Sequence, residues 1–266
     1  MLIVGELINT SRSVVSEYVN KNDADSIREL AKKQAEAGAH YIDVNCGTIG
    51  AKEADTMKWL IDNIKQVTDL PISVDSSNPK VMEVGLAEVG SDNVILNSIS
   101  LETDRYAGML PLALKYKTRV IGLAMDDRGI PKTANEKFTV GKQLIDNLIK
   151  EGIPVENIYL DLLVQPLSVS DMSGMELLNA LKMFKEQMPE VKIISALSNI
   201  SFGLPNRKLL NRIFLVQTLT MGMDAYILDP ADKEVMAFMY ATEALIGHDR
   251  YCGKYLAAHR KGFFSK

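Results

Sequence analysis

Eight short, nearly continuous apolar runs rich in β-branched residues recur along the chain. They are Leu2–Leu7, Tyr41–Val44, Ile72–Val74, Val94–Leu96, Arg119–Ala124, Ile158–Leu160, Lys192–Leu197 and Ala225–Leu228. Runs of this length and continuity suit strands buried on both faces of a parallel sheet. Between them apolar residues recur at helical spacing, as in Asp25–Ala37, Thr56–Val67, Val140–Lys150, Ser173–Met188, Arg207–Met221 and Lys233–Leu245. Strand and helix alternating eight times predict a (β/α)8 barrel in preference to a long doubly wound sheet. The 266 residues match the roughly 250 of one such barrel. No linker or low-complexity stretch divides the chain, so a single domain over residues 1–266 is expected. The basic and aromatic segment His248–Lys266 is expected to fold over one end of the barrel.

Composition excludes several classes of function. A net charge of −4 argues against a nucleic-acid partner. No apolar run approaches the roughly 18 residues of a membrane helix. The start, MLIVGELIN, lacks a basic region before its apolar stretch and reads as a strand. Cys46 and Cys252 lie far apart in no metal-binding spacing and are expected to be reduced thiols of a cytoplasmic protein. None of His40, His248 and His259 is expected to stand four residues from a second potential ligand on a helix. No phosphate loop, dinucleotide fingerprint or nucleophile elbow is present, so covalent catalysis is not indicated.

The sharper signal is what ends each run. Glu6 and Asn9 follow the first, Asp43 and Asn45 the second, Asp75 the third and Asn97 the fourth. Asp126 and Asp127 follow the fifth, Asp161 the sixth, Ser198 and Asn199 the seventh, and Asp229 the eighth. In a barrel these positions ring the mouth where active sites of this architecture sit. Turns after strands favour Asp and Asn on their own account, which explains any one position better than the whole ring. Carboxylates and carboxamides together suit a flat heterocycle presenting an amino group, a ring N–H and a carbonyl in a row. Oxygen ligands also suit Mg²⁺ or Ca²⁺, but the acids come from separated strands with neutral Asn between them, and no bound metal is expected.

At these residues the sequence resembles the pterin-binding superfamily. GELIN (Gly5–Asn9), YIDVNCGT (Tyr41–Thr48), PISVDSSNP (Pro71–Pro79), VILNSIS (Val94–Ser100), IGLAMDDRGIPK (Ile121–Lys132), YLDLLVQPLS (Tyr159–Ser168), ALSNISFGLPNR (Ala196–Arg207) and GMDAYILDP (Gly222–Pro230) follow the family's strand motifs in order. Within the superfamily, Leu197–Asn199 with Asn206–Leu215 is similar to the methyltetrahydrofolate:corrinoid-protein methyltransferases. Dihydropteroate synthases carry a lysine and an arginine near this strand, whereas here no lysine occurs until Lys208. A pyrophosphate leaving group would meet too little positive charge.

The resemblance implies a methyltransferase moving a methyl group between N5 of tetrahydrofolate and the cobalt of a corrinoid, in a direction the sequence leaves open. The chain has no room for cobalamin and homocysteine domains, so the corrinoid is expected on a partner protein. Asp75, Asn97 and Asp161 would hold the pterin, Ser198 and Arg207 would line the same wall, and Asn199 would be catalytic, donating to N5. Asp43 and Asn45 would either brace the mouth or bind directly. Leu7, Ala196 and Phe202 depart from the arginine, glycine and glutamine the family carries. A homodimer is expected, with Phe214, Leu215 and Met221 on the helix Arg207–Met221 either supplying an interface or buried within the barrel. The rival readings are a dihydropteroate-synthase-like enzyme and a folate-binding protein without catalysis.

Overall fold

The computed structural model describes residues 1–90 and 93–264. Its strands are β1 (Leu2–Asn9), β2 (Tyr41–Asn45), β3 (Ile72–Asp75), β4 (Ile95–Leu101), β5 (Arg119–Asp126), β6 (Ile158–Asp161), β7 (Lys192–Ala196) and β8 (Ala225–Leu228). They pair in parallel in chain order, and β8 returns to β1, closing an eight-stranded barrel. The helices are α1 (Ser13–Asn20), α2 (Ala24–Glu36), α3 (Glu53–Lys65), α4 (Pro79–Val89), α5 (Thr103–Tyr116), α6 (Ala134–Lys150), α7 (Ser173–Gln187), α8 (Arg207–Thr220), α9 (Lys233–Leu245) and α10 (Gly253–Arg260).

All eight expected strands form, with shifted borders. β4 runs on to Leu101 and β5 takes in Asp126, whereas β7 stops at Ala196 and leaves Leu197–Ser201 to a 3-10 turn. Four helices escaped the periodicity. The α5 pattern is interrupted by Gly108 and by Pro111 inside the helix. Helices α1 and α10 hold only eight residues each, too short for a periodic stripe. The start of α4 is marked by Asn78, whose side chain accepts from the Lys80 N–H, with Pro79 in the first turn.

Two apolar cores follow from the alternation of side chains along each strand. Residues of one parity, such as Ile42, Val74, Leu96, Val120, Leu160, Ile193 and Leu228, face the surrounding helices. The other parity fills the barrel interior with Val4, Tyr41, Ile95, Ile121, Tyr159, Ile194 and Ala225. Phe214 and Leu215 on α8 belong to the outer core at 4% and 0% exposure, so of the two readings burial against the barrel holds and the interface does not. The apolar side chains that α8 leaves exposed are Leu209 and Ile213.

The segment after α9 closes the end of the barrel where the strands begin. Lys254, Ala257 and Phe263 line a cavity with Met1, Ile3 and His40, and Phe263 meets the Tyr240 ring edge-on at 5.7 Å. The expected cover over residues 248–266 is therefore seen up to Phe264, and Ser265 and Lys266 lie outside the described residues. His40 accepts from the Ile3 N–H through Nδ1 at this end, away from the mouth.

Candidate functional site

The strand parity that fills the interior continues upward into the polar ring. Two residues beyond Val4 is Glu6, beyond Tyr41 come Asp43 and Asn45, beyond Ile95 Asn97, beyond Tyr159 Asp161, beyond Ile194 Ala196, and beyond Ile227 Asp229. Each of these Cβ atoms therefore points to the barrel axis, on top of an apolar plug. Register aligns them laterally: Asn45 stands opposite Asp75, Asp75 opposite Asn97, and Leu123 opposite Asp161. Asp43 and Asn97 lie inside their strands, so turn preference does not account for them, whereas Asn45 and Asp161 at strand ends each also accept from the N–H two residues on.

The side chains hold one another. Asn45 donates to Asp75 Oδ2 at 2.8 Å, and Asn97 donates through Nδ2 to Asp43 Oδ1 at 3.1 Å. Asp43 is 3% exposed; burial, and then the neighbouring Asp75, push its carboxyl well above the usual range. Two adjacent buried carboxyls resist ionising together, and burial disfavours the charge on Asp43. Asp75, raised by burial to about 6 and relieved by hydrogen bonds from Asn45 and Asp43, carries the charge at neutral pH. Asp43 and Asn45 thus brace Asn97 and Asp75 through direct contacts.

Asp161 is 4% exposed and accepts from the Leu163 N–H through Oδ1 at 2.8 Å. Burial raises its pKa to about 6, against the pull of that N–H and of Lys137. Glu6 rises further, to about 7, through burial and the nearby Asp229, with Arg12 and Arg207 acting in the opposite sense. The mouth therefore holds several carboxyls whose pKa values burial raises, a pattern that clusters at functional sites.

Other members of the expected ring serve local turns or a helix start. Asp126 pairs with Arg128 at 2.7 Å, and Asp127 accepts from the Thr103 N–H and hydroxyl at the start of α5. Asn9 accepts from the Ser11 N–H, and Asp229 from the Ala231 N–H. For Asp126, Asn9 and Asp229 turn chemistry is the better account, and Asp127 serves the start of α5.

Ser198 and Asn199 sit on the 3-10 turn after β7 rather than on the strand itself. Asn199 is exposed, and its side chain has no hydrogen-bond partner among the described residues. Arg207 pins this turn from α8: its Nη2 donates to the Ser198 carbonyl at 2.7 Å and its Nε to Ser201 Oγ at 3.1 Å. The same guanidinium lies over the Phe202 ring at 5.6 Å, and Phe202 is 63% exposed. Of the three departures, Leu7 is buried and away from solvent, while Ala196 and Phe202 border the turn that carries Asn199.

Two residues join this site that the strand-end pattern did not select for binding. Glu6 was visible in the ring, but its burial beside Asp229 arises only when β8 closes onto β1. Lys137, on the first turns of α6, is 1% exposed beneath Asp161. The capping box of Thr133 and Glu136, which starts α6 there, is a signal readable in the sequence TANEK. Among the described residues no group of three or more His, Cys, Asp or Glu is placed to hold a metal ion.

Residues 5–229 match the family model described as pterin binding enzyme. A methylcorrinoid:tetrahydrofolate methyltransferase of Eubacterium limosum is 34% identical over 264 residues, covering 98% of this chain and 97% of the relative. The methionine synthase of Mycobacterium leprae is 30% identical over 240 residues, which span 85% of this chain and 20% of that larger protein. Among solved structures, a dihydropteroate synthase of Xanthomonas albilineans in complex with 7,8-dihydropteroate superposes with a TM-score of 0.72 at 18% identity, covering 91% of this chain and 94% of that one. A likeness at that identity speaks for the barrel alone. Matched by its family model over most of its length and by a full-length relative, the chain belongs to the pterin-binding enzyme family.

Proposed function

We propose that the mouth binds the pterin of tetrahydrofolate and that the protein is a methyltransferase acting between its N5 and the cobalt of a corrinoid carried on a separate protein. The observation that carries this reading is the row of Asn45–Asp75, Asp43–Asn97 and Asp161, held in register above an apolar plug. Its chemistry fits the ligand. A pterin edge offers an amino group and a ring N–H side by side. Asp161, with one oxygen engaged by Leu163, keeps lone pairs to accept both in charge-assisted bonds. Asp75 and Asn97 take the remaining ring nitrogens, and Ser198 and Arg207 border the same wall. The apolar layer beneath gives the flat ring a floor.

Bound corrinoid supplies the cobalt that takes or gives the methyl group. This chain's own contribution is to hold the pterin and to stabilise N5 as the C–N bond changes. Asn199, exposed on a pinned turn, donates its amide N–H to N5 while charge develops there, which acts mainly in the transition state. The same transition state serves both directions. The Eubacterium relative's name has the methyl group leaving a methylcorrinoid, and its full-length similarity supports that direction for this chain. Mixing the protein with 5-methyltetrahydrofolate and reduced cobalamin, and following the cobalt spectrum, tests the reading. Folate binding without a spectral change would leave a carrier, and condensation of a pterin with p-aminobenzoate would leave a dihydropteroate-synthase-like enzyme.

Two further parts of the reading concern its setting. The protein acts as a homodimer, supported by Leu209 and Ile213, which leave an apolar face on α8 at 51% and 47% exposure. Light scattering should give twice the chain mass at micromolar concentration, and a monomer there would refute it. A cytoplasmic setting is supported by two unpaired cysteines, and among the described residues no helix is long and apolar enough to cross a membrane.

A further inference from the structure

Lysine is among the residues least often buried without a partner. Lys137 is 1% exposed, and its ammonium donates to the carbonyls of Leu162 at 2.8 Å and Leu163 at 2.6 Å. These carbonyls belong to the two residues that follow Asp161. Leu163 has φ of 53°, a left-handed conformation uncommon for a residue with a side chain. In that conformation the Leu163 N–H turns back to Asp161 Oδ1 at 2.8 Å. One helical turn beyond Lys137 is Gly141, where an added Cβ would come within 2.9 Å of both Leu160 and Phe184. The absence of a side chain there lets α6 approach β6 closely enough for the lysine to reach.

We propose that Lys137 is a positioning residue: it clamps the turn after β6 and so aims the Asp161 carboxylate into the mouth. The inference rests on the reading of Asp161 as the pterin's acceptor. The clamp has an electrostatic side. Facing the Lys137 ammonium are Asp161 from β6, Glu176 from α7 and Glu136 from its own helix, and burial lowers its pKa to about 8. Lys137 is the cation facing Asp161, whose pKa lies at about 6. At neutral pH the ammonium and the carboxylate are both charged, and each favours the other's ionised form.

Lys137→Met in the full chain keeps the length of the side chain and removes its charge and donors. In the ligand-free protein, the Asp161 carboxyl followed by ¹³C NMR should titrate about one pH unit or more higher than in wild type. Calorimetry with tetrahydrofolate should show about twofold weaker binding at pH 7 from lost ionisation alone, the loss growing to ~10-fold as pH falls to about 5. On an Asp161→Asn background the same substitution should cost much less affinity. A lysine that merely supports the fold would lower the melting temperature without moving the Asp161 titration, and an unmoved titration overturns the proposal. If the titration moves but neither Lys137→Met nor Asp161→Asn weakens folate binding, the pterin reading of Asp161 falls while the link between Lys137 and Asp161 stands. Should the methionine variant fail to fold, Lys137→Arg retains charge with displaced donors. It should keep the Asp161 midpoint and lose affinity several-fold, and wild-type affinity there would overturn the clamp.

Discussion

Asp161→Asn is the substitution that bears most directly on the proposed site. Asp161 is 4% exposed and spends Oδ1 on the Leu163 N–H at 2.8 Å. In the variant, the amide oxygen can keep that bond, which turns the NH₂ toward the pterin's own donors. Two charge-assisted bonds are lost and a donor faces a donor in a desolvated site. The expected cost is about 2–4 kcal/mol, roughly 30- to 1,000-fold in affinity. The fold should not suffer. Burial holds the Asp161 pKa up at about 6 against an ordinary 3.8, so the ionised carboxylate destabilises the folded state above that window. A neutral amide should therefore melt at or above the wild-type temperature at pH 8. Calorimetry with tetrahydrofolate from pH 5 to 8 separates these effects. Wild-type affinity should decline as pH falls through 6, and part of that decline should vanish in the variant, with Asp75 supplying the remainder. A folded variant that binds within twofold of wild type, or that keeps the full wild-type pH dependence, would refute the assignment.

Asn199→Ala should slow single-turnover methyl transfer to cob(I)alamin by ~10²–10³ while weakening folate binding far less, because the bond strengthens as charge develops on N5. Wild-type transfer at saturating folate would make Asn199 a binding residue only. Glu6→Gln tests the electrostatics of the closed barrel. The Glu6 pKa is raised to about 7 from 4.5, so wild-type stability from this group is full below pH 4.5 and is lost as pH rises through 7. The glutamine variant should match wild type at pH 4 and exceed it at pH 8 by on the order of 1–3 kcal/mol, read from denaturant unfolding. An equal offset at both pH values would show that Glu6 is not held in that buried, acid-facing environment.

The barrel was legible in the sequence because it rests on short-range patterns. Continuous β-branched runs specify strands buried on both faces, and amphipathic stretches specify the helices laid over them. Both periods can be counted along the chain. The placing of Asn97 and Asp161 at the mouth follows from the same patterns, since their side-chain parity continues that of Ile95 and Tyr159, whereas Asp75 follows the buried polar Ser73. The family motifs then gave these positions a ligand. Where periodicity was short or interrupted, as in α1, α10 and α5, the sequence was silent. Whether Phe214 and Leu215 form an interface or the core stayed open in the sequence, because an apolar helix stripe does not say whether it faces a barrel or a partner.

Charge states and side-chain pairings were decided only by the closed fold. Whether Asn9 and Asp229 serve a turn, or Asp43 braces Asn97 across two strands, depends on distances that spacing along the chain does not encode. Glu6 meets Asp229 because β8 returns beside β1, 223 residues later in sequence. Lys137 is the clearest case. On its helix it reads as an exposed cation, and only the close approach of α6 at Gly141 buries its ammonium against the two carbonyls that follow Asp161. Desolvation, which sets these pKa values, depends on everything packed around a group, and so belongs to the tertiary structure alone.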